Sequence, residues 1–196
     1  MKTRHFPGLE VAPEAYVILA MMLLLIPLRW IFASVIAAMI HEMCHVGMIY
    51  LTGGCVNSFR IGPNGAQIHS YPMPCWKEML CAAAGPAGSI LLLLFARWFP
   101  GVAICGVIQA LWNLIPLYPL DGGRVVNCFI SLVFPGYAHR IIKAIRVITI
   151  CVLTVACVVL MRVFPVGVIP VLFLAGVIIK VGAIKFPCKQ GRMGVQ

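Results

Sequence analysis

The sequence predicts an all-α polytopic membrane protein: about six transmembrane helices, with a small cytoplasmic-side β-hairpin between the second and third. Three observations predict it. Of the 196 residues 62% are hydrophobic and only 10% charged, at a mean hydropathy of +1.04. Soluble domains carry roughly 45–50% apolar and about 25% charged residues, so a soluble chain of this length could not hide so much apolar surface. The apolar residues fall in runs near the length that crosses a bilayer, about 20 residues each. The basic residues stand at the ends of those runs and gather on one side of them.

Taken in order, the first span covers about 15–28 and is short. The second covers about 31–51 and is set off from the first by Pro27, Arg29 and Trp30. The polar stretch 55–74 follows, with the turn signal GPNG between FRI and AQI, and reads as a hairpin of paired extended segments. The third span covers about 79–99 and the fourth about 102–120. Residues 124–146 mix apolar and basic side chains around a Pro135-Gly136 break, which predicts an interfacial helix and loop. The fifth and sixth spans cover about 147–164 and 166–184. No polar stretch is long enough for a second domain, so the whole chain, 1–196, reads as one membrane-embedded domain.

With the N-terminus inside, the inner segments carry 12 of the 15 Lys and Arg, and the outer turns only Arg29, Arg97 and Arg162. The positive-inside rule then places both termini in the cytoplasm and asks for an even number of spans. A net charge of +10 in this arrangement points to anionic lipid rather than nucleic acid. The basic MKTRH start is separated from the first apolar run by FPGLEVAPE, and no clean cleavage site follows, so that run reads as a retained span. Nine cysteines, mostly inside apolar runs and without a CxxC pair, read as small buried hydrophobes.

Ionisable residues inside a span are costly and mark function. His41, Glu42 and His45 fall together in the second span, as HEMCH. Positions i and i+4 share a helix face, so His41 and His45 can grip one metal ion, and Glu42 beside them can take a proton from a metal-bound water. Cys44 points about 100° away from His45 on such a helix and reads as packing. A catalytic zinc site needs a third protein ligand and an open position. Asp121, Glu78, His69 and His139 are the candidates. Glu78 adjoins Lys77 at an interface, His69 lies in the hairpin and His139 in a basic loop. Asp121, the chain's only Asp, follows Pro116 and Pro119 and precedes Gly122 and Gly123. These residues break a helix and allow close backbone approach at membrane depth, so Asp121 is favoured. Asn113 sits in an apolar span, where its amide serves either a reacting carbonyl or an interhelical hydrogen bond.

HEMCH in one span and NLIPLYPLDGGR in a later one resemble the two signatures of the site-2 protease family of intramembrane zinc metalloproteases (peptidase family M50). The six-span plan with a cytoplasmic catalytic face is most similar to the stage IV sporulation protease branch, which cleaves a membrane-tethered pro-sigma factor. The resemblance covers about 31–124. It implies one zinc per chain on His41, His45 and Asp121, Glu42 as general base, and Asn113 near the reacting peptide. It also implies a prokaryotic cell membrane and a membrane-spanning or membrane-tethered protein substrate such as a sigma or anti-sigma factor. CAAAGPAGS in the third span resembles the family's small-residue segment and reads as scaffold that lets helices approach. With no PDZ-like insert and no C-terminal nucleotide-sensing domain expected, control falls to a membrane partner or to the substrate.

A helical substrate hides its carbonyls in hydrogen bonds and must unwind before hydrolysis. An exposed strand edge of the Ser58–Ile68 hairpin can hold the unwound segment by β-addition. The alternative function is a membrane metal-ion transporter or metal-binding protein, which also places His and acidic residues in spans. A catalytically dead relative that binds membrane proteins is a third reading, against which the intact HExxH and Asp121 argue.

Overall fold

The computed structural model describes residues 8–11, 16, 20, 23–62 and 65–163. Residues 15, 17–19, 21 and 22 of the first predicted span lie outside the described residues, and the sixth span wholly so. The chain divides into two compact units, Met1–Ile145 and Arg146–Gln196.

In the first unit, β1 is Gly8–Val11, α1 Leu28–Leu51, β2 Val56–Gly62, β3 Gly65–Ser70, α2 Cys75–Leu91, α3 Pro100–Asn113 and α4 Asp121–Val133. The helix α5, Ala138–Val163, begins here and forms the described part of the second unit. Helices Leu28–Leu51, Cys75–Phe95 (α2 with a 3₁₀ turn) and Ala138–Arg162 are long and apolar enough to cross a membrane.

α1 starts where Pro27 presets the backbone, and the Pro27 carbonyl accepts from Trp30 N–H at 2.9 Å. Its buried residues Ala33, Ala37, His41, His45 and Ile49 recur every four positions, so one narrow stripe faces the protein. Phe32, Met39 and Met43, off that stripe, are exposed. Polar groups inside and apolar side chains outside is the arrangement a bilayer requires. The helix stops at Gly53, whose φ of +76° lies in the left-handed region that glycine tolerates. Lys77 then donates to the Thr52 carbonyl at 2.7 Å, which satisfies a helix-end acceptor with a cation.

α2 is the centre of the bundle, packed against α1, α3 and α4. Small residues make that possible: Cys81, Ala82, Gly85 and Ser89 are all buried along it. Pro86 lies inside the helix at the same depth. Leu92–Phe95 tightens into 3₁₀ geometry at its end.

The predicted fourth span is split. α3 ends at Asn113 and is about 21 Å long by its 14 residues, short of the roughly 30 Å hydrocarbon core. Residues 114–120 run irregularly, with Tyr118-Pro119 in cis, and Leu117 in this stretch is only 3% exposed. Pro116 and Pro119 cannot donate backbone hydrogen bonds and disfavour helix before them. Asp121 therefore opens a new helix, α4, rather than closing the old one. The break at Pro135-Gly136 falls between α4 and α5, as expected from sequence.

The 55–74 segment forms an antiparallel pair, β2 with β3, in register from Ser58 opposite His69 to Gly62 opposite Gly65, with a register shift between Ser58 and Val56, which stands opposite Ser70. A third strand, unforeseen in the sequence, joins it: β1 runs parallel to β2, with Gly8 opposite Ser58. The order is β1-β2-β3, so β2 is paired on both sides and, among the described residues, β3 keeps an outer edge. β3 also touches α1, the helix carrying HEMCH.

The buried stripe of α1 yields a stability prediction. Ala37 is wholly buried, whereas Met39 is 62% exposed. Ala37→Leu is expected to cost about 1–3 kcal/mol by overpacking, and Met39→Leu close to nothing. Thermal unfolding in detergent checks the pair.

Candidate metal centre

α1 projects His41 and His45 from adjacent turns of its buried stripe, and the first residue of α4 projects Asp121 at them. All three are buried, at 2%, 6% and 8% exposure. The His41 and His45 Nε2 atoms lie 3.2 Å apart, and each lies 3.1 Å from Asp121 Oδ2. Four tetrahedral donors about 2.05 Å from a shared zinc ion lie about 3.3 Å from one another, so the triangle has the edge lengths that zinc requires. Among the described residues this is the group of three or more His, Cys, Asp and Glu side chains whose donor atoms converge.

The far sides of the rings are held as well. His45 Nδ1 donates to the Cys81 carbonyl at 2.7 Å, and His41 Nδ1 pairs with Ser89 Oγ at 2.8 Å. The proton on His45 Nδ1 leaves its Nε2 as a lone pair aimed at the other two donors. Lone pairs and a carboxylate facing one another at this range repel unless a cation or a proton lies between them, and the donor set therefore suits a divalent metal.

Glycines make the room. A Cβ on Gly85 would run into His45 Nε2 and Cε1 and would meet His41 Nε2 at 2.8 Å. A Cβ on Gly122 would strike the Leu114 carbonyl, and one on Gly123 the Leu117–Tyr118 peptide. The start of α4 is thus pressed onto the 114–118 segment, which sets where Asp121 stands. Arg124, one turn into α4, reaches Glu78 of α2 at 3.6 Å and Asp121 Oδ1 at 4.0 Å. Its charge favours leaving Oδ2 as the oxygen turned to the histidines.

Of the other candidates, Glu42 stands half-buried next to His41, within electrostatic range of His41, His45, Asp121 and Arg124. Asn113, the last residue of α3, brings Nδ2 to 3.4 Å from His41 Nε2. Glu78 is committed to Arg124, and His139 is exposed at the start of α5; neither is in the cluster. Cys44 lies over Gly88, where an added Cβ would strike its Sγ. The sequence marks Gly85 as scaffold beside the site that lets helices approach, and the structure has it there; Ser89 and the Cys81 carbonyl were missed as parts of the site. The four-residue spacing of Cys81, Gly85 and Ser89 on one face of α2 was the available signal.

The family described as Peptidase M50B-like matches the chain over residues 15–117. The chain belongs to that family. The match takes in His41, Glu42, His45 and Asn113 and stops short of Asp121, whose place rests on the geometry above. A protein named "Putative zinc metalloprotease sll0528" from Synechocystis sp. (strain ATCC 27184 / PCC 6803 / Kazusa) is 32% identical over 133 residues. That alignment covers 60% of this chain and 34% of the relative, so this M50B-like chain aligns with about a third of the relative's length. The structure resembles the site-2 protease from Methanocaldococcus jannaschii, with a TM-score of 0.60 at 18% identity over 91% of this chain and 92% of that one. At that identity the likeness is one of fold.

Gly85 provides a direct check on the centre. Gly85→Ala is expected to displace both imidazoles and to lower bound zinc, read by metal analysis of protein purified in detergent. Gly47→Ala, on the same helix as the histidines but with nothing within 4 Å of the added carbon, should leave the zinc content unchanged.

Proposed function

We propose that the chain is an intramembrane zinc metalloprotease of the site-2 type, hydrolysing peptide bonds of membrane-spanning or membrane-tethered proteins. The observation that carries this reading is the buried triangle of two imidazole nitrogens and one carboxylate oxygen, set in an M50B-like chain beside a free glutamate neighbour in HExxH. His41 Nε2, His45 Nε2 and Asp121 Oδ2 hold one zinc ion per chain. When bound there, zinc supplies Lewis-acid polarisation of a peptide carbonyl and acidifies water.

The chain's own groups do the rest. The Glu42 carboxylate takes a proton from the attacking water and passes it to the leaving amide nitrogen. Asn113 Nδ2 donates to the carbonyl oxygen as negative charge develops on it. The apolar helices around the cluster keep bulk water from weakening these interactions. The catalytic core is about 31–124, within a single membrane domain of about six spans. Both termini and the β-sheet lie on the cytoplasmic side, in a prokaryotic cell membrane, and the branch is that of the stage IV sporulation protease. A substrate helix unwinds and adds its extended segment to the edge of β3, a strand in contact with α1.

Two experiments test the reading. Glu42→Gln should retain zinc and lose at least about 100-fold in cleavage of a membrane-protein substrate; an unimpaired rate would refute the general-base assignment. A transporter would instead show altered metal flux in this variant and no cleavage in the wild type. Ile68→Pro in β3 should slow cleavage with zinc content unchanged, since proline removes a backbone donor from the strand. An unchanged rate would show that the edge does not hold substrate.

A further inference from the structure

The two histidines are anchored differently. His45 Nδ1 faces a backbone carbonyl, which can only accept, so its proton is fixed on Nδ1 and its Nε2 is a ready donor to metal. His41 Nδ1 faces a hydroxyl, which can accept or donate. When Ser89 Oγ accepts, His41 presents a bare Nε2 to the site. When Ser89 donates instead, the His41 proton sits on Nε2 and points at Asp121 Oδ2, 3.1 Å away, and the donor triangle is closed by an internal hydrogen bond.

Ser89 is wholly buried, and its described side-chain hydrogen bond is the one to His41. It stands on α2 one turn beyond Gly85, on the face that packs against α1. The Ser89 carbonyl lies 3.0 Å from where a Gly106 Cβ would stand on α3, so the backbone at Ser89 is wedged between two helices. A hydroxyl on that rigid backbone fixes the plane of the His41 ring. Polar groups behind a metal-bound imidazole set its orientation and basicity.

We propose that Ser89 is a positioning residue for His41: its Oγ accepts the Nδ1 proton and so holds the imidazole with Nε2 turned to the metal. This rests on the zinc reading above. It assigns Ser89 no contact with substrate, and it makes zinc affinity, rather than folding, the property that the hydroxyl controls.

The test uses the full chain in detergent, as wild type, Ser89→Ala, Ser89→Thr and Ser89→Cys. Zinc affinity is measured by competition with a chromophoric chelator, ligand geometry from the visible spectrum of the cobalt-substituted protein, and folding from the unfolding midpoint of metal-free protein. Ser89→Ala should weaken zinc about 10- to 100-fold and alter the cobalt spectrum, with the metal-free midpoint at the wild-type value. Ser89→Thr, which keeps the hydroxyl, should restore both readings. Ser89→Cys, close in size and a weak acceptor, should fall between and covers the case in which the threonine methyl does not fit. Wild-type zinc affinity in Ser89→Ala overturns the proposal. So does a loss of affinity in every variant that tracks a lowered metal-free midpoint, because that is a packing role. A folded wild type that binds no zinc overturns the metal reading itself, which separates the two failures.

Discussion

Three donor atoms within 3.2 Å of one another, buried among apolar helices, are the constraint on which this molecule depends. Two imidazole nitrogens and a carboxylate oxygen do not gather in such a place by packing alone. Burial of unpaired polar atoms costs free energy, and more so at membrane depth. A divalent cation turns that cost into a bonding opportunity. Much of the bundle can be understood as the means of keeping the three atoms at that spacing without another side chain intruding.

The means are mostly small residues and broken helices. α2 can lie against α1 because Gly85 offers no Cβ where His45 and His41 stand, and because Gly88 leaves room for Cys44. α4 can start beside α1 because Gly122 and Gly123 let its first turn touch the 114–118 backbone. That irregular segment in turn exists because two prolines end α3. The carboxylate thus arrives at the centre from a helix start, where no preceding turn of helix blocks it. Arg124 ties the outer oxygen of Asp121 to Glu78 on α2, so the ligand helix and the central helix are linked by charge as well as by packing.

The chemistry-bearing residues were legible in the sequence because ionisable groups in apolar runs are conspicuous. HEMCH has the four-residue spacing that puts two imidazoles on one face, and Asp121 sits in a proline- and glycine-rich break that no packing argument explains. The anchors behind the histidines were not legible in the same way. Cys81 contributes a backbone carbonyl, which any residue would supply, and Gly85 acts by what it lacks. Ser89 closed a small-residue run that has an adequate packing explanation of its own. The parallel pairing of β1 to β2 was hidden for another reason. GLEV is short, and its partner lies some fifty residues away, beyond the reach of local pattern. Hydropathy also ran the fourth span through to residue 120, because Leu114, Ile115, Leu117 and Leu120 are as apolar as a helix interior while the prolines among them forbid one.

The atoms that surround a bound zinc decide the chemistry of the centre. X-ray absorption at the zinc edge of the purified wild-type protein reads that environment most directly. It should show two imidazole nitrogens and oxygen donors at about 2.0–2.2 Å, with no sulfur, and the imidazole and oxygen pattern should be lost in Asp121→Asn. A sulfur donor at about 2.3 Å, or a spectrum unchanged in Asp121→Asn, would contradict the assignment of His41, His45 and Asp121 as the zinc ligands.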